Sequence, residues 1–115
     1  MLKIYGKLVR DQVLHYIRKD GEIPRFRKLT FPEYKEALRH KLIEEATEVA
    51  EAQTPEDLRK ELADLLEVFY ALVRVYDIKL RDLEKIREQR RYLRGGFAAR
   101  ILLLYTEARE VRKRR

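Results

Sequence analysis

The sequence predicts an all-α fold, a helical bundle built on two long antiparallel helices with shorter helices beside them. Two stretches, Thr30 to Ala52 and Pro55 to about Tyr76, carry apolar residues at helical spacing over many turns. Each is preceded by a threonine with N-cap chemistry, and the link between them is too short for anything but a helical hairpin.

A first, shorter helix is expected over Val9 to Lys19, where Val9, Val13, Tyr16 and Ile17 recur at helical spacing and Gly21 follows as a C-terminal cap. "EIPRFRKL" then reads as an extended connection that gathers Arg25, Arg27 and Lys28. Thr30-Phe31-Pro32-Glu33 has the form of a capping box, so the first long helix starts there. "QTPED" ends it and starts the second: Thr54 is a natural N-cap, Pro55 suits the first helical position, and Glu56 and Asp57 complement the dipole. A last helical pattern with Leu80, Leu83 and Ile86 runs to Arg94 and stops at Gly95-Gly96. "ILLLY" in the final stretch suits a strand or a buried helix equally. With no repeat, low-complexity run or long linker, residues 1–115 read as one domain, with a solvated basic tail from about residue 106.

Composition narrows the function classes. Cysteine is absent, which excludes disulfides and thiolate metal sites, and two separated histidines do not make a zinc site. No apolar run approaches the length of a membrane span, and the N-terminus lacks the apolar core of a secretory signal, so a cytoplasmic protein is expected. The formal charge of +7 is unevenly spread. Residues 31–68 hold eleven Asp/Glu against five Lys/Arg, a net of −6, so the remainder carries +13. An acidic middle between basic ends suits a metal-bound polyphosphate as well as it suits nucleic acid.

The acids of that middle intrude on the apolar stripes. Stepping about 100° per residue, Leu38, Leu42, Ala46 and Val49 form one arc, with Glu45 at its edge and Glu48 further round on the same side. On the second helix, Glu61 continues into Leu65, Val68 and Leu72, and Asp64 into Val68, Ala71 and Val75. Buried carboxylates converging from two helices repel one another unless paired, protonated or bound to a cation. A hard divalent ion with oxygen ligands, Mg²⁺ before zinc, resolves the repulsion. Lys41, on the same side of its helix, is the alternative counterion, making the cluster a structural network.

Glu44-Glu45-x-x-Glu48, twelve intervening residues, then Glu61-x-x-Asp64 resembles the motif of the all-α nucleoside triphosphate pyrophosphohydrolases, the MazG superfamily. "YGKLVRD", "KLIEEATE", "ELADLLEV" and "RGGFAARI", in that order, resemble its compact house-cleaning branch akin to phosphoribosyl-ATP pyrophosphohydrolase, over nearly the whole chain to about Leu103. The resemblance implies Mg²⁺-dependent hydrolysis of a nucleoside triphosphate between the α and β phosphates, giving a monophosphate and pyrophosphate. It implies Glu45, Glu48, Glu61 and Asp64 as metal ligands, and Glu44 and Glu48 as the acids of catalysis, Glu44 orienting the attacking water. The leaving pyrophosphate needs cations. Lys7, Arg10, Lys41, Arg87, Arg91 and Arg94 are the candidates, with Gly95 and Gly96 allowing close backbone approach. Before the double glycine, Gln89, Tyr92 and Leu93 stand where relatives often carry charge. Phe97 is expected on a base or in the core, Tyr70 and Tyr76 in the core or a dimer contact, and His15 and His40 at the surface.

The apolar arcs of the second long helix are wider than one partner helix covers, so a homodimer or higher oligomer is expected, its active site near the subunit interface. Two alternatives stand beside the house-cleaning enzyme. One is a non-catalytic helical protein binding RNA or DNA through its basic ends, "REVRKRR" included, the less favoured reading. The other keeps the fold and takes phosphoribosyl-ATP.

Overall fold

Thr30 and Thr54 begin the two long helices as their chemistry demands. The Thr30 hydroxyl accepts from the Glu33 amide at 3.4 Å while the Glu33 carboxylate accepts from the Thr30 amide at 3.0 Å, a closed capping box. The Thr54 hydroxyl accepts from the Asp57 amide at 3.1 Å. Each cap satisfies amides that the first helical turn leaves without partners.

The computed structural model describes residues 6–110. Among them are four helices and no strand: α1 (Val13–Lys19), α2 (Phe31–Glu51), α3 (Pro55–Val75) and α4 (Leu80–Arg94). α1 begins at Val13, four residues after the predicted start, because residues 7–10 have no regular structure and a turn at 11–12 leads into the helix. It ends as expected. Gly21 at φ 85° lets its own amide reach Arg18 O at 3.0 Å and the Glu22 amide reach Ile17 O at 3.2 Å, a Schellman closure. α3 ends the same way with Asp77 at φ 53°, the Asp77 amide on Arg74 O and the Ile78 amide on Val73 O.

α2 and α3 pack together as a hairpin joined by three residues. Arg39 of α2 meets Tyr76 beyond the end of α3, whereas Glu45 further along α2 meets Asp64 earlier in α3, so the helices run antiparallel. Among the described residues, Leu38, Val68 and Val73 are the buried apolar side chains, and Glu45 is the buried charged one. At the end where α2 starts and α3 finishes, Arg39 Nε donates to the Tyr76 hydroxyl at 2.9 Å, and Lys35 Nζ lies 5.2 Å from the centre of that ring. Tyr76 is thus partly buried between two cations, a contact of about 0.5–1 kcal/mol per cation at exposed sites.

The chain divides between Leu80 and Arg81 into two compact units. The second unit holds nearly all of α4. Gly95 at φ 82° closes that helix, its amide on Arg91 O at 2.7 Å, where a side chain would be strained. Residues 101–110 have no regular structure, and Ile101 to Tyr105 are 73–84% exposed. "ILLLY" therefore forms neither the strand nor the buried helix that its composition suits. Phe97, 99% exposed, is not a core residue. Residues 111–115, which carry most of "REVRKRR", lie outside the described residues, as does Tyr5 of "YGKLVRD".

Candidate metal and catalytic site

α2 turns a different edge toward α3 from the one that apolar residues alone mark out. Leu38 is buried and Leu42 and Val49 are half-buried, but Glu45 completes the stripe, 7% exposed, while Ala46 faces solvent. Glu45 therefore sits inside the packed face and not at its edge. α3 follows the expected ridges: Val68 is buried, Leu65, Ala71, Leu72 and Val75 are half-buried, and Glu61 and Asp64 head them. Ligand-capable oxygens of Glu45, Glu61 and Asp64 all lie within 4.8 Å of one another. Glu48, exposed on α2, brings its carboxyl against that of Glu61.

These acids are poorly satisfied by the protein itself. Glu45 Oε2 and Glu61 Oε2 are buried without a hydrogen-bond partner. Burial, then the charge of Glu48, holds the Glu45 carboxyl above the usual carboxylate range against the opposing pull of Lys41. Glu61 is pushed up first by its hydrogen-bonding contact with Glu48, then by burial and the charges of Glu48, Asp64 and Glu45. An unpartnered buried carboxylate oxygen is a costly group, relieved by a proton or by a cation. The donor set is all oxygen, drawn from two rigid helices, and it fits a hard divalent ion.

Cations approach from three directions. Lys41 Nζ lies 3.3 Å from Glu44 and 3.7 Å from Glu45. Lys7 Nζ reaches Glu44 at 3.5 Å, and Arg10 donates to Asp64 Oδ1 at 2.7 Å. For Glu44, burial acts upward, but the hydrogen bond and charge of Lys41, then Lys7, outweigh it and hold the carboxyl below its ordinary value. Glu44 is therefore ionised at neutral pH, an acceptor able to orient a water and a weak base.

Lys7, Arg10, Lys41, Glu44, Glu45, Glu48, Glu61 and Asp64 are thus brought together in the first unit. Lys7 and Glu44 lie thirty-seven positions apart in the chain and Arg10 and Asp64 fifty-four, pairings that no local pattern displays. Arg87, Arg91, Arg94, Gly95 and Gly96 belong to the second unit. There Arg87 pairs with Glu84 on its own helix, and a side chain at Gly96 would meet Arg91 at an ordinary 3.7 Å. His40 is exposed and pairs with Glu36 at 3.3 Å, and His15 lies edge-on to Tyr16, in keeping with surface roles.

An all-helical chain whose central hairpin draws acids from both helices to one point is of the all-α nucleoside triphosphate pyrophosphatase type. The phosphoribosyl-ATP pyrophosphohydrolase family matches residues 22–91, and the chain belongs to that family, within the MazG-like superfamily. Pyrophosphohydrolase chemistry on a nucleotide goes with that membership. The match spans α2, α3 and most of α4, so "YGKLVRD" and "RGGFAARI" fall outside it. No curated protein and no solved structure matches the chain. Among the described residues, no helix is long and apolar enough to cross a membrane.

Proposed function

We propose that this protein is a Mg²⁺-dependent house-cleaning enzyme that hydrolyses a non-standard nucleoside triphosphate between the α and β phosphates, releasing the monophosphate and pyrophosphate. The observation that carries the reading is the pair of buried, unpartnered oxygens on Glu45 and Glu61, beside Asp64, in a chain of a pyrophosphohydrolase family. Glu45, Glu61 and Asp64, with Glu48, are the residues that would hold Mg²⁺. When bound, the ion supplies charge neutralisation at phosphate and acidification of water.

The remaining work falls to side chains. Glu44, kept ionised by Lys41 and Lys7, accepts a hydrogen bond from the attacking water and orients it. Glu48, against Glu61 and open to solvent, takes the proton that the water loses. Lys7, Arg10 and Lys41 stand beside the acids as phosphate ligands, and Arg87, Arg91, Arg94 and the Gly95-Gly96 backbone are proposed for the same task in the second unit. The protein is cytoplasmic and acts as a homodimer or higher oligomer; association is supported by a second apolar ridge on α3, Leu58, Leu62, Leu66 and Tyr70, 36–48% exposed.

Phosphoribosyl-ATP is the second substrate reading, favoured by the identity of the matching family. One experiment addresses both: pyrophosphate release from standard and modified nucleoside triphosphates and from phosphoribosyl-ATP, with Mg²⁺ or with chelator. Wild type should act only with Mg²⁺, and Glu61→Gln and Asp64→Asn should each lose about 100-fold or more. Equal rates in all three proteins would end the assignment.

A further inference from the structure

Lys41 and Arg10 hold the acids in different ways. Lys41 lies on α2 one turn before Glu44 and Glu45, so its reach is fixed by the helix. Arg10 comes from the non-helical segment ahead of α1, its side chain 60% exposed, and its Nη2 lies 2.7 Å from Asp64 Oδ1. The Arg10 carbonyl accepts from the Val13 amide at 3.1 Å, which anchors the backbone while leaving the side chain room to swing.

Asp64 is one of three acids whose oxygens converge, so a divalent ion held there and Arg10 would draw on the same carboxylate. Two cations sharing one carboxylate would lie within about 4–5 Å and repel strongly. A lysine could relieve the conflict by losing its proton. Arginine cannot, so relief must come by movement.

We infer that Arg10 is an internal counterion for Asp64 in the metal-free protein, and that it must leave this carboxylate when a divalent cation binds. The inference rests on the metal reading above. Once released, the guanidinium remains tethered beside the acids, and its planar fork suits a phosphate better than any other side chain here. The exchange therefore couples cation binding to anion binding, and linkage makes that coupling reciprocal.

The test uses the full chain as wild type, Arg10→Gln, Arg10→Lys and Glu45→Gln, with Mg²⁺ alone as ligand. Thermal melts are recorded in chelator and at saturating Mg²⁺, and affinity is read by calorimetry. In chelator, Arg10→Gln should melt about 2 °C below wild type, the scale of one exposed ion pair in a small domain. At saturating Mg²⁺ the gap should close, because the pair is already broken in wild type. The Mg²⁺ dissociation constant of Arg10→Gln should be about two- to fivefold lower than that of wild type, with Arg10→Lys between them. The same gap in both conditions, or an Mg²⁺ affinity unchanged or weakened in Arg10→Gln, would overturn the inference while leaving the metal reading intact. Should Arg10→Gln fail to fold, an affinity of Arg10→Lys equal to or weaker than wild type overturns it equally. A wild type that responds to Mg²⁺ no more than Glu45→Gln does would remove the metal reading, and the inference with it.

Discussion

Glu45 concentrates the tension of the fold in one side chain. Its carboxyl holds a proton more tightly in the folded chain than in the unfolded one, because burial disfavours the charge and Lys41 does not fully offset that. A raised carboxyl lowers stability as pH rises from the ordinary value, about 4.3, through the raised one. Glu45→Gln should therefore melt above wild type in chelator at neutral pH, and the difference should shrink as the pH falls below that window. With Mg²⁺ the order should reverse, since a ligand bound by the native state stabilises it by mass action. Glu33 shows the opposite sign. The bidentate contact from Arg27, at 3.0 and 2.7 Å, and the capping bonds hold its carboxyl at about 2. That contribution is complete above the ordinary value and is lost as pH falls toward about 2. Urea melts across this range should show wild type losing more stability than Arg27→Gln. The intrusion of Glu61 and Asp64 on their ridges was legible from spacing alone. The depth of Glu45 was not, because apolarity assigned its place to Ala46, and the facing helix decides which edge of a stripe is covered.

Among the helices, the ends were more legible than the middles. Thr30, Glu33, Thr54 and Gly21 act through bonds to residues within five positions, so a short stretch of sequence contains the whole interaction. Thr54→Ala should cost about 1 kcal/mol by chemical denaturation, a typical loss for one N-cap, with α3 fraying first in hydrogen exchange. Leu38, 3% exposed between the helices, belongs to the other kind of contact, which depends on where α3 lies. "ILLLY" was ambiguous because five apolar residues in a row have no period, and the segment takes no regular structure in the chain. The start of α1 was misplaced because Val9 continues the helical spacing although the turn at 11–12 interrupts it.

For the molecule as a whole, the amount of apolar surface left open is the outstanding feature. Three apolar side chains are buried among the described residues, while Leu58, Leu62 and Leu66 line one face of α3 and Ile101 to Tyr105 stand in solvent. Open apolar faces of this kind usually mark association. Sedimentation at micromolar concentration should give a mass of two chains or more, and Leu62→Asp with Leu66→Asp should lower it. A monomer in wild type would contradict the proposed assembly. All-α character, the hairpin and the family were open to sequence reading because they rest on periodicity and on motifs along the chain. The pairing of Arg10 with Asp64 was closed to it, since the two lie fifty-four positions apart in the chain.

The two unpartnered oxygens at the heart of the hairpin also bear on handling. On the proposed metal reading, routine purification with EDTA would hold the protein in its less durable form, with the repulsion among its acids only partly relieved by Lys41 and Arg10. Such a preparation should age fastest on the shelf, and topping up storage buffer with magnesium should lengthen its working life even when no nucleotide is present.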